Sequence, residues 1–347
     1  MRVFLTGSTG FIGQHLTRAL FKRGWSVTAL VRKPDSPQSL AVQMIGAESA
    51  SGDITVRESM RAPMSGADIV VHNAAAYKLG TDRTEKQSMR FANIRGTENV
   101  LSLAHELKIP RTIYVSTVLA MGETGTEMRD ETYKRQFPCR STYEQTKMEA
   151  HEIAGKYRER GLPLIIVCPG PVIGANDHSV WGYFQRMYVN RILPPVAWAP
   201  KSIFCCVSVE DLSEGIALAA EKGRIRETYL LCGEPQSFRD ILNLWSKKPG
   251  AFHTKIWLPA SFAAPMFASL EPIQRMIGLP AVLSRETART AATNMYYSGE
   301  KAKRDLGWKH CSAEEMWFHT IDREIQLLAG RRTQRLVQRL KPLDFAQ

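Results

Sequence analysis

Short apolar runs alternate with longer amphipathic stretches from the start of the chain to about Pro169. The runs 3–6, 27–31, 68–72, 112–116 and 164–168 are rich in Val, Ile and Leu and largely lack polar alternation, the pattern of strands covered on both faces. Between the first two, Ile12, Leu16 and Leu20 recur every fourth residue until Gly24 stops the helix, and 85–107 and 143–160 are long enough for two more helices. Strands and helices in alternation predict repeated βαβ units around a parallel sheet. Beyond Pro169 the pattern is irregular, broken at Leu193-Pro194-Pro195 and Leu258-Pro259, although 228–232 still reads as a strand. The expected division is an α/β domain at 1–169, a smaller, mostly helical region at 170–325 interleaved with late strands, and a basic tail at 326–347.

Composition narrows the class. With 347 residues, 44% hydrophobic and 23% charged, the chain resembles neither a disordered nor a fibrous protein. The stretch 256–270 lacks charge but is too short to span a bilayer and contains Pro259 and Pro265. Glycine-rich sequence interrupts the N-terminus before a signal-peptide core forms, so a cytoplasmic protein is expected. Six cysteines form no C-x-x-C pair, which predicts reduced thiols and no metal site. The formal charge of +12 is scattered and carries no nucleic-acid-binding signature. One exception is 331–341, where Arg331, Arg332, Arg335, Arg339 and Lys341 occur without an acid. It reads as a solvated helix, with weak contact to an anionic membrane surface as the alternative.

Residues 3–13 read VFLTGSTGFIG, an apolar strand, then Gly7, Gly10 and Gly13, then a helix. The first glycine permits a tight turn, the second lets backbone approach a pyrophosphate, and the third allows close helix packing, while the helix N-terminus offers amide donors. Gly7, Thr9, Gly10, Phe11, Ile12 and Gly13 are thus the candidate cradle of a dinucleotide. They predict an α/β fold of Rossmann type, a doubly wound parallel sheet with a smaller, mostly helical C-terminal substrate-binding region. The G-x-x-G-x-x-G spacing resembles the extended branch of the short-chain dehydrogenase/reductase superfamily. At the end of the second strand, where NAD-preferring sites hold a carboxylate, Val31 is followed by Arg32 and Lys33. A guanidinium pairs with a 2′-phosphate through charge-assisted hydrogen bonds, so NADP(H) is the expected cofactor and NAD the less favoured one. The resemblance also implies that Asp53, beside Ile54, meets the adenine amino group and that Asn73-Ala74-Ala75-Ala76 forms a small-residue wall beside the cofactor.

Tyr143 and Lys147 stand four apart on a predicted helix and project from one face. Tyr297 and Lys301 share the spacing, so context must separate the pairs; only Tyr143 follows a strand ending in Ser116-Thr117, the edge at which parallel sheets place ligands. A nearby ammonium lowers the pKa of a phenol, so Lys147 is expected to bring Tyr143 into a useful range while holding the nicotinamide ribose. Thr117 would donate a hydrogen bond to the substrate oxygen. Asn93-Ile94-Arg95-Gly96-Thr97-Glu98-Asn99 resembles the N-x-x-G-T-x-N helix of extended enzymes, implying that Asn93 contacts the cofactor or a relay water or else acts as a bridge. Cys168-Pro169-Gly170-Pro171-Val172-Ile173-Gly174 resembles R-P-x-x-V-Y-G, with Cys for Arg and Ile for Tyr; Pro169 and Val172 would then lie beside the nicotinamide. Val207-Ser208-Val209-Glu210-Asp211-Leu212 and the segment from Ser298 to Trp308 resemble late family segments. The likeness covers roughly residues 1–325 and is nearest the dihydroflavonol 4-reductase-like group, close to hydroxysteroid dehydrogenases and hopanoid-associated epimerase-like proteins.

The expected function is an NADP(H)-dependent oxidoreductase that reduces a ketone or aldehyde of a small, apolar molecule, with Tyr143 as proton donor. Two alternatives stay open: an epimerase or dehydratase that retains NAD on a sugar or sugar-nucleotide-like substrate, and a non-catalytic NADP(H)-binding scaffold or sensor. Tyr77-Lys78-Leu79, Phe137, Tyr183 and Trp198 are candidate pocket residues. A homodimer through the 85–107 and 143–160 helices is expected from the resemblance. The apolar segment 256–283 is expected either to cap the cleft with Phe262 and Met266 toward the ligand, to pack on the core, or to rest on a membrane.

Overall fold

The computed structural model describes residues 1–77, 82–251, 253–276 and 284–340. Its main sheet has seven parallel strands, β1 (Arg2–Thr6), β2 (Ser26–Val31), β3 (Glu48–Ser51), β4 (Ile69–His72), β5 (Arg111–Val115), β6 (Leu164–Pro169) and β7 (Thr228–Leu231). Their spatial order is β3-β2-β1-β4-β5-β6-β7. The apolar runs are continuous because each strand feeds two cores by alternation. Val3, Leu5, Ile69, Val71, Ile113 and Val115 face the helices Phe11–Phe21 and Val209–Lys222, whose Leu16, Leu20, Leu212 and Ile216 complete that layer. Phe4, Val70, Tyr114, Ile166 and Cys168 face the opposite layer, where Gly96–Glu106 supplies Val100 and Leu101 and Thr142–Glu159 supplies Ala150 and Ala154. Val3 pairs with both Val27 and Ile69, which brings the C-terminal ends of β1, β2 and β4 to one edge. The chain runs outward from β1 to β2 and β3 and then returns to β4 on the other side of β1, and a crevice opens where the order reverses.

The expected helix over 85–107 is interrupted. Arg83–Arg90 and Gly96–Glu106 are joined by a wide π-type turn at Phe91–Arg95. Wide turns of this kind cluster at functional sites, and here the turn carries Asn93.

Downstream of β6, short strand pairs and helices build a second region while β7 returns to the main sheet beside β6. Val196–Trp198 pairs with Ile256–Leu258, and Ile203–Cys205 with Pro235–Ser237. The cap expected from 256–283 is not what the described part forms. Helix Ala260–Met276 turns Ala263 and Phe267 inward onto Trp198 and Ala288, whereas Phe262 and Met266 are 69% and 40% exposed and line no part of the cleft. Apolar burial at Trp198 consumes one face of the helix, so the residues chosen by hydrophobicity alone point outward. Residues 277–283 lie outside those described, as do Lys78 and Leu79. The helix Ala313–Leu340 carries the chain into the basic segment. Among the described residues no helix is long and apolar enough to cross a membrane.

Candidate active site

Every strand from β1 to β6 delivers a segment to one cleft of about 760 Å³ at the C-terminal edge of the sheet. Beyond β1 come Gly7, Thr9, Gly10, Phe11 and Ile12; beyond β2, Arg32; beyond β3, Asp53 and Ile54. After β4 follow Asn73, Ala74, Ala75, Ala76 and Tyr77; after β5, Ser116 and Thr117; after β6, Pro169 and Val172. Tyr143 and Lys147 enter from the Thr142–Glu159 helix.

The glycine positions are set by backbone approach. Gly7 has φ +74°, and a Cβ there would lie 2.7 Å from the Ala74 nitrogen; one on Gly13 would lie 2.0 Å from the Gly7 carbonyl oxygen. A Cβ on Gly10 would meet only that same oxygen, at 3.3 Å, so this glycine faces the open cleft. Gly10 is also the N-cap of helix Phe11–Phe21 and offers no side-chain cap, leaving amide donors aimed into the cleft beside Phe11 and Ile12. A cradle of this form fits a pyrophosphate. Asp53 accepts from the Thr55 amide and hydroxyl through Oδ1, both at 2.8 Å, a turn that fixes the carboxylate at the cleft wall. Arg32 is exposed at the same end, and among the described residues no carboxylate pairs with it. Lys33 does not line the cleft; its carbonyl accepts from Ser39 Oγ at 2.7 Å.

At the other end, Lys147 is 3% exposed and its Nζ donates to the Val115 carbonyl at 3.1 Å, 5.2 Å from the centre of the Tyr114 ring. Burial pulls the ammonium down to about 8. Burial also pushes the Tyr143 phenol above its usual value. Lys147 was expected to lower the Tyr143 pKa, but burial of the phenol raises it. The ring of Tyr77 meets Tyr143 edge-on at 4.7 Å. Thr117 Oγ1 accepts from the Leu119 amide at 3.3 Å, which leaves its own proton to donate into the cleft. Around this group the backbone is clamped: Glu144, 3% exposed, accepts from Arg135 at 2.7 Å and from the Arg140 amide at 2.8 Å. The Thr142 amide reaches Glu286 at 3.2 Å, tying the start of the helix to the downstream region.

Asn93 stands behind the wall rather than in the cleft. Its Oδ1 accepts from the Ala76 amide at 2.7 Å, and its Nδ2 donates to the Ala76 carbonyl and to Thr146 Oγ1, both at 2.9 Å. It bridges the Asn73–Ala76 wall to the Tyr143 helix, the second of the two roles open from the sequence. The second pair of the same spacing does not line the cleft: Tyr297 donates to the Gly122 carbonyl at 2.5 Å and Lys301 pairs with Glu227 at 2.7 Å. Of the expected pocket residues Tyr77 lines the cleft, whereas Phe137, Tyr183 and Trp198 do not.

Several lining residues were missed. Asp177, His178, Ser179, Trp181, Thr290 and Met295 close the end beyond Tyr143. Their only sequence signal is the Asp-His-Ser start of helix Val180–Val189, where Ser179 caps the Trp181 amide at 3.2 Å. Among the described residues, Thr290 Oγ1 is buried there without a hydrogen-bond partner, as is Asn73 Oδ1 on the cofactor side. Ser116 Oγ lies 2.9 Å from Nδ1 of His151, two turns beyond Tyr143 on the same helix face; burial takes that imidazole down to about 4.

Sequence comparison places this fold in a family: the NAD dependent epimerase/dehydratase family model matches residues 3–232. The chain belongs to that family. It is accordingly an enzyme of the extended short-chain dehydrogenase/reductase type, a family that works with a nicotinamide cofactor. It is 30% identical, over 90% of this chain and 91% of the relative, to a protein of Synechocystis sp. named provisionally as a dihydroflavonol 4-reductase. It is 33% identical to the 4-hydroxy-2-methyl-3-oxo-4-farnesyl-3,4-dihydroquinoline-1-oxide ketoreductase of Stigmatella aurantiaca, over 72% of this chain and 74% of that one. Among solved structures, gox2253 superposes with a TM-score of 0.77 at 28% identity, covering 95% of this chain and 98% of that one.

Proposed function

We propose that this member of the epimerase/dehydratase family is an NADP(H)-dependent reductase of a ketone or aldehyde group in a small, apolar molecule. The observation that carries the reading is the convergence of Thr117, Tyr143 and Lys147 on one cleft floor, with the glycine cradle and Arg32 at the opposite end. The bound nicotinamide supplies the hydride. Thr117 donates its free proton to the substrate oxygen and holds it beside Tyr143. Tyr143, kept protonated by its surroundings, gives its proton to the oxygen as negative charge develops there. Lys147 stabilises the tyrosinate left behind and, through the Val115 carbonyl, is fixed in register with β5.

Two features favour net reduction of an apolar carbonyl over a sugar-nucleotide reaction. Beyond Tyr143 the described lining sets Tyr77, Leu119, Trp181 and Met295 beside Asp177, His178, Ser179 and Thr290 and holds no Lys or Arg, whereas a diphosphate calls for cationic donors. The relatives reported above are named as reductases, one of them acting on a farnesylated ketone. The orphaned Thr290 hydroxyl would meet a second polar atom of the substrate. Arg32 tests the cofactor: in titration calorimetry NADPH should bind tighter than NADH, and Arg32→Ala should cost NADPH roughly tenfold or more while leaving NADH nearly unchanged. Equal affinities, or tighter NADH binding, would overturn the NADP(H) assignment.

A further inference from the structure

Among the described residues, helix Ala260–Met276 leaves one face without a partner. Phe262 is 69% exposed, Met266 40%, Ile273 50% and Met276 81%, residues spaced so that they share one side of the helix, with Ser269 between them. The helix grows out of strand Ile256–Leu258, whose Ile256 is 53% exposed, and the Lys255 and Ile256 amides bond to the Pro195 carbonyl at 2.9 and 3.1 Å. That contact brings in the preceding loop with exposed Arg191 and with Ile192, 66% exposed. Arg191 in turn shares a groove with Pro249, Leu328 and Ala329, the last two lying just before the basic stretch of helix Ala313–Leu340.

Charge follows the same route. Segments 190–201 and 246–270 contain no Asp or Glu, yet hold Arg191, Lys201, Lys247, Lys248 and Lys255. Lys247 and Lys248 are neutralised by Glu314 and Asp322 at 3.1 and 2.6 Å; exposed Arg191, Lys201 and Lys255 have no carboxylate partner among the described residues. Adjoining exposed aliphatic residues and unpaired cations match an acyl–headgroup boundary carrying negative charge. Nucleic acid would take the cations but leave the isoleucines and methionines in water.

We propose that this surface docks the enzyme peripherally on an anionic phospholipid bilayer, with helix Ala260–Met276 seated at the headgroup boundary and Arg191, Lys201 and Lys255 facing the headgroups. The full-length protein should float with phosphatidylcholine vesicles containing phosphatidylglycerol at low ionic strength, and not with phosphatidylcholine alone or at high salt. The exposed positions tolerate polar residues, so a Phe262→Ser/Met276→Ser variant should keep its melting temperature and bind the anionic vesicles roughly tenfold or more weakly. Absence of flotation at low salt would overturn the proposal, as would undiminished flotation of the variant. Equally strong retention on a single-stranded oligonucleotide would give the cations to nucleic acid instead. A dimer in light scattering that the same substitutions split into monomers would give the apolar face to a second copy of the chain.

Discussion

Lys147 sets the electrostatics of the site. Its ammonium is buried against β5 with one carbonyl partner, and its pKa falls from 10.5 to about 8. Between those two values the unfolded chain binds the proton that the folded chain has released, so folding stability contributed by this residue rises with pH from about 8 to 10.5. Below about 8 the buried charge costs roughly 3 kcal/mol, the free-energy equivalent of the shift. Lys147→Met should therefore raise the melting temperature near neutral pH while removing activity, and the gain should shrink as pH climbs through that window; thermal scans over pH check both. Reduction itself should be steady near pH 7 and decline as pH rises through about 8, because the ammonium that stabilises the tyrosinate is then lost. A rate that increased across that range would place the critical titration elsewhere. That Tyr143 and Lys147 share one cleft was legible from spacing plus context, but the direction of the Tyr143 shift was not, because sequence does not show the burial that raises the phenol.

The elements differ in how much substitution they tolerate. Gly13 has no room for a methyl group, since its Cβ would lie 2.0 Å from the Gly7 oxygen. Gly13→Ala should force the cradle away from helix Phe11–Phe21, destabilise the fold by roughly 1–3 kcal/mol and weaken dinucleotide binding, measured by melting and calorimetry together. The hairpin of Ala260–Met276 and Arg285–Ala291 hangs on Trp198, whose ring meets Phe267 at 4.7 Å and whose Nε1 donates to the Ala288 carbonyl at 3.2 Å. Trp198→Ala should cost about 3–5 kcal/mol, while Phe262→Ser should change stability by less than about 0.5 kcal/mol and leave KM for a soluble substrate unaltered. A rise in KM in that second variant would return Phe262 to the cleft. Periodicity located this helix without assigning its faces, because apolar residues occur all round it and only the packing on Trp198 selects which are buried. The interruption at Phe91–Arg95 was hidden for a related reason: Asn93 occupies a good helical pattern, and its tertiary bonds to Ala76 and Thr146 decide the local backbone.

At the scale of the whole molecule, one sheet edge collects groups separated by more than a hundred residues. The Rossmann half was readable because each strand, its following turn and its helix are local in sequence, and two covered faces make the strands continuous apolar runs. The far end of the cleft was not, because Asp177, Trp181, Thr290 and Met295 come from elements brought together by tertiary packing with no shared period or motif. Net reduction through Tyr143 is best tested by mixing the enzyme and NADPH with a panel of apolar ketones and aldehydes and following both NADPH loss and product, for the wild type and Tyr143→Phe. The expected result is one alcohol formed per NADPH consumed for at least one compound, with the variant slower by about a hundredfold or more and its NADPH affinity preserved. Product formed without consumption of NADPH, or a Tyr143→Phe enzyme that turns over like the wild type, would contradict it.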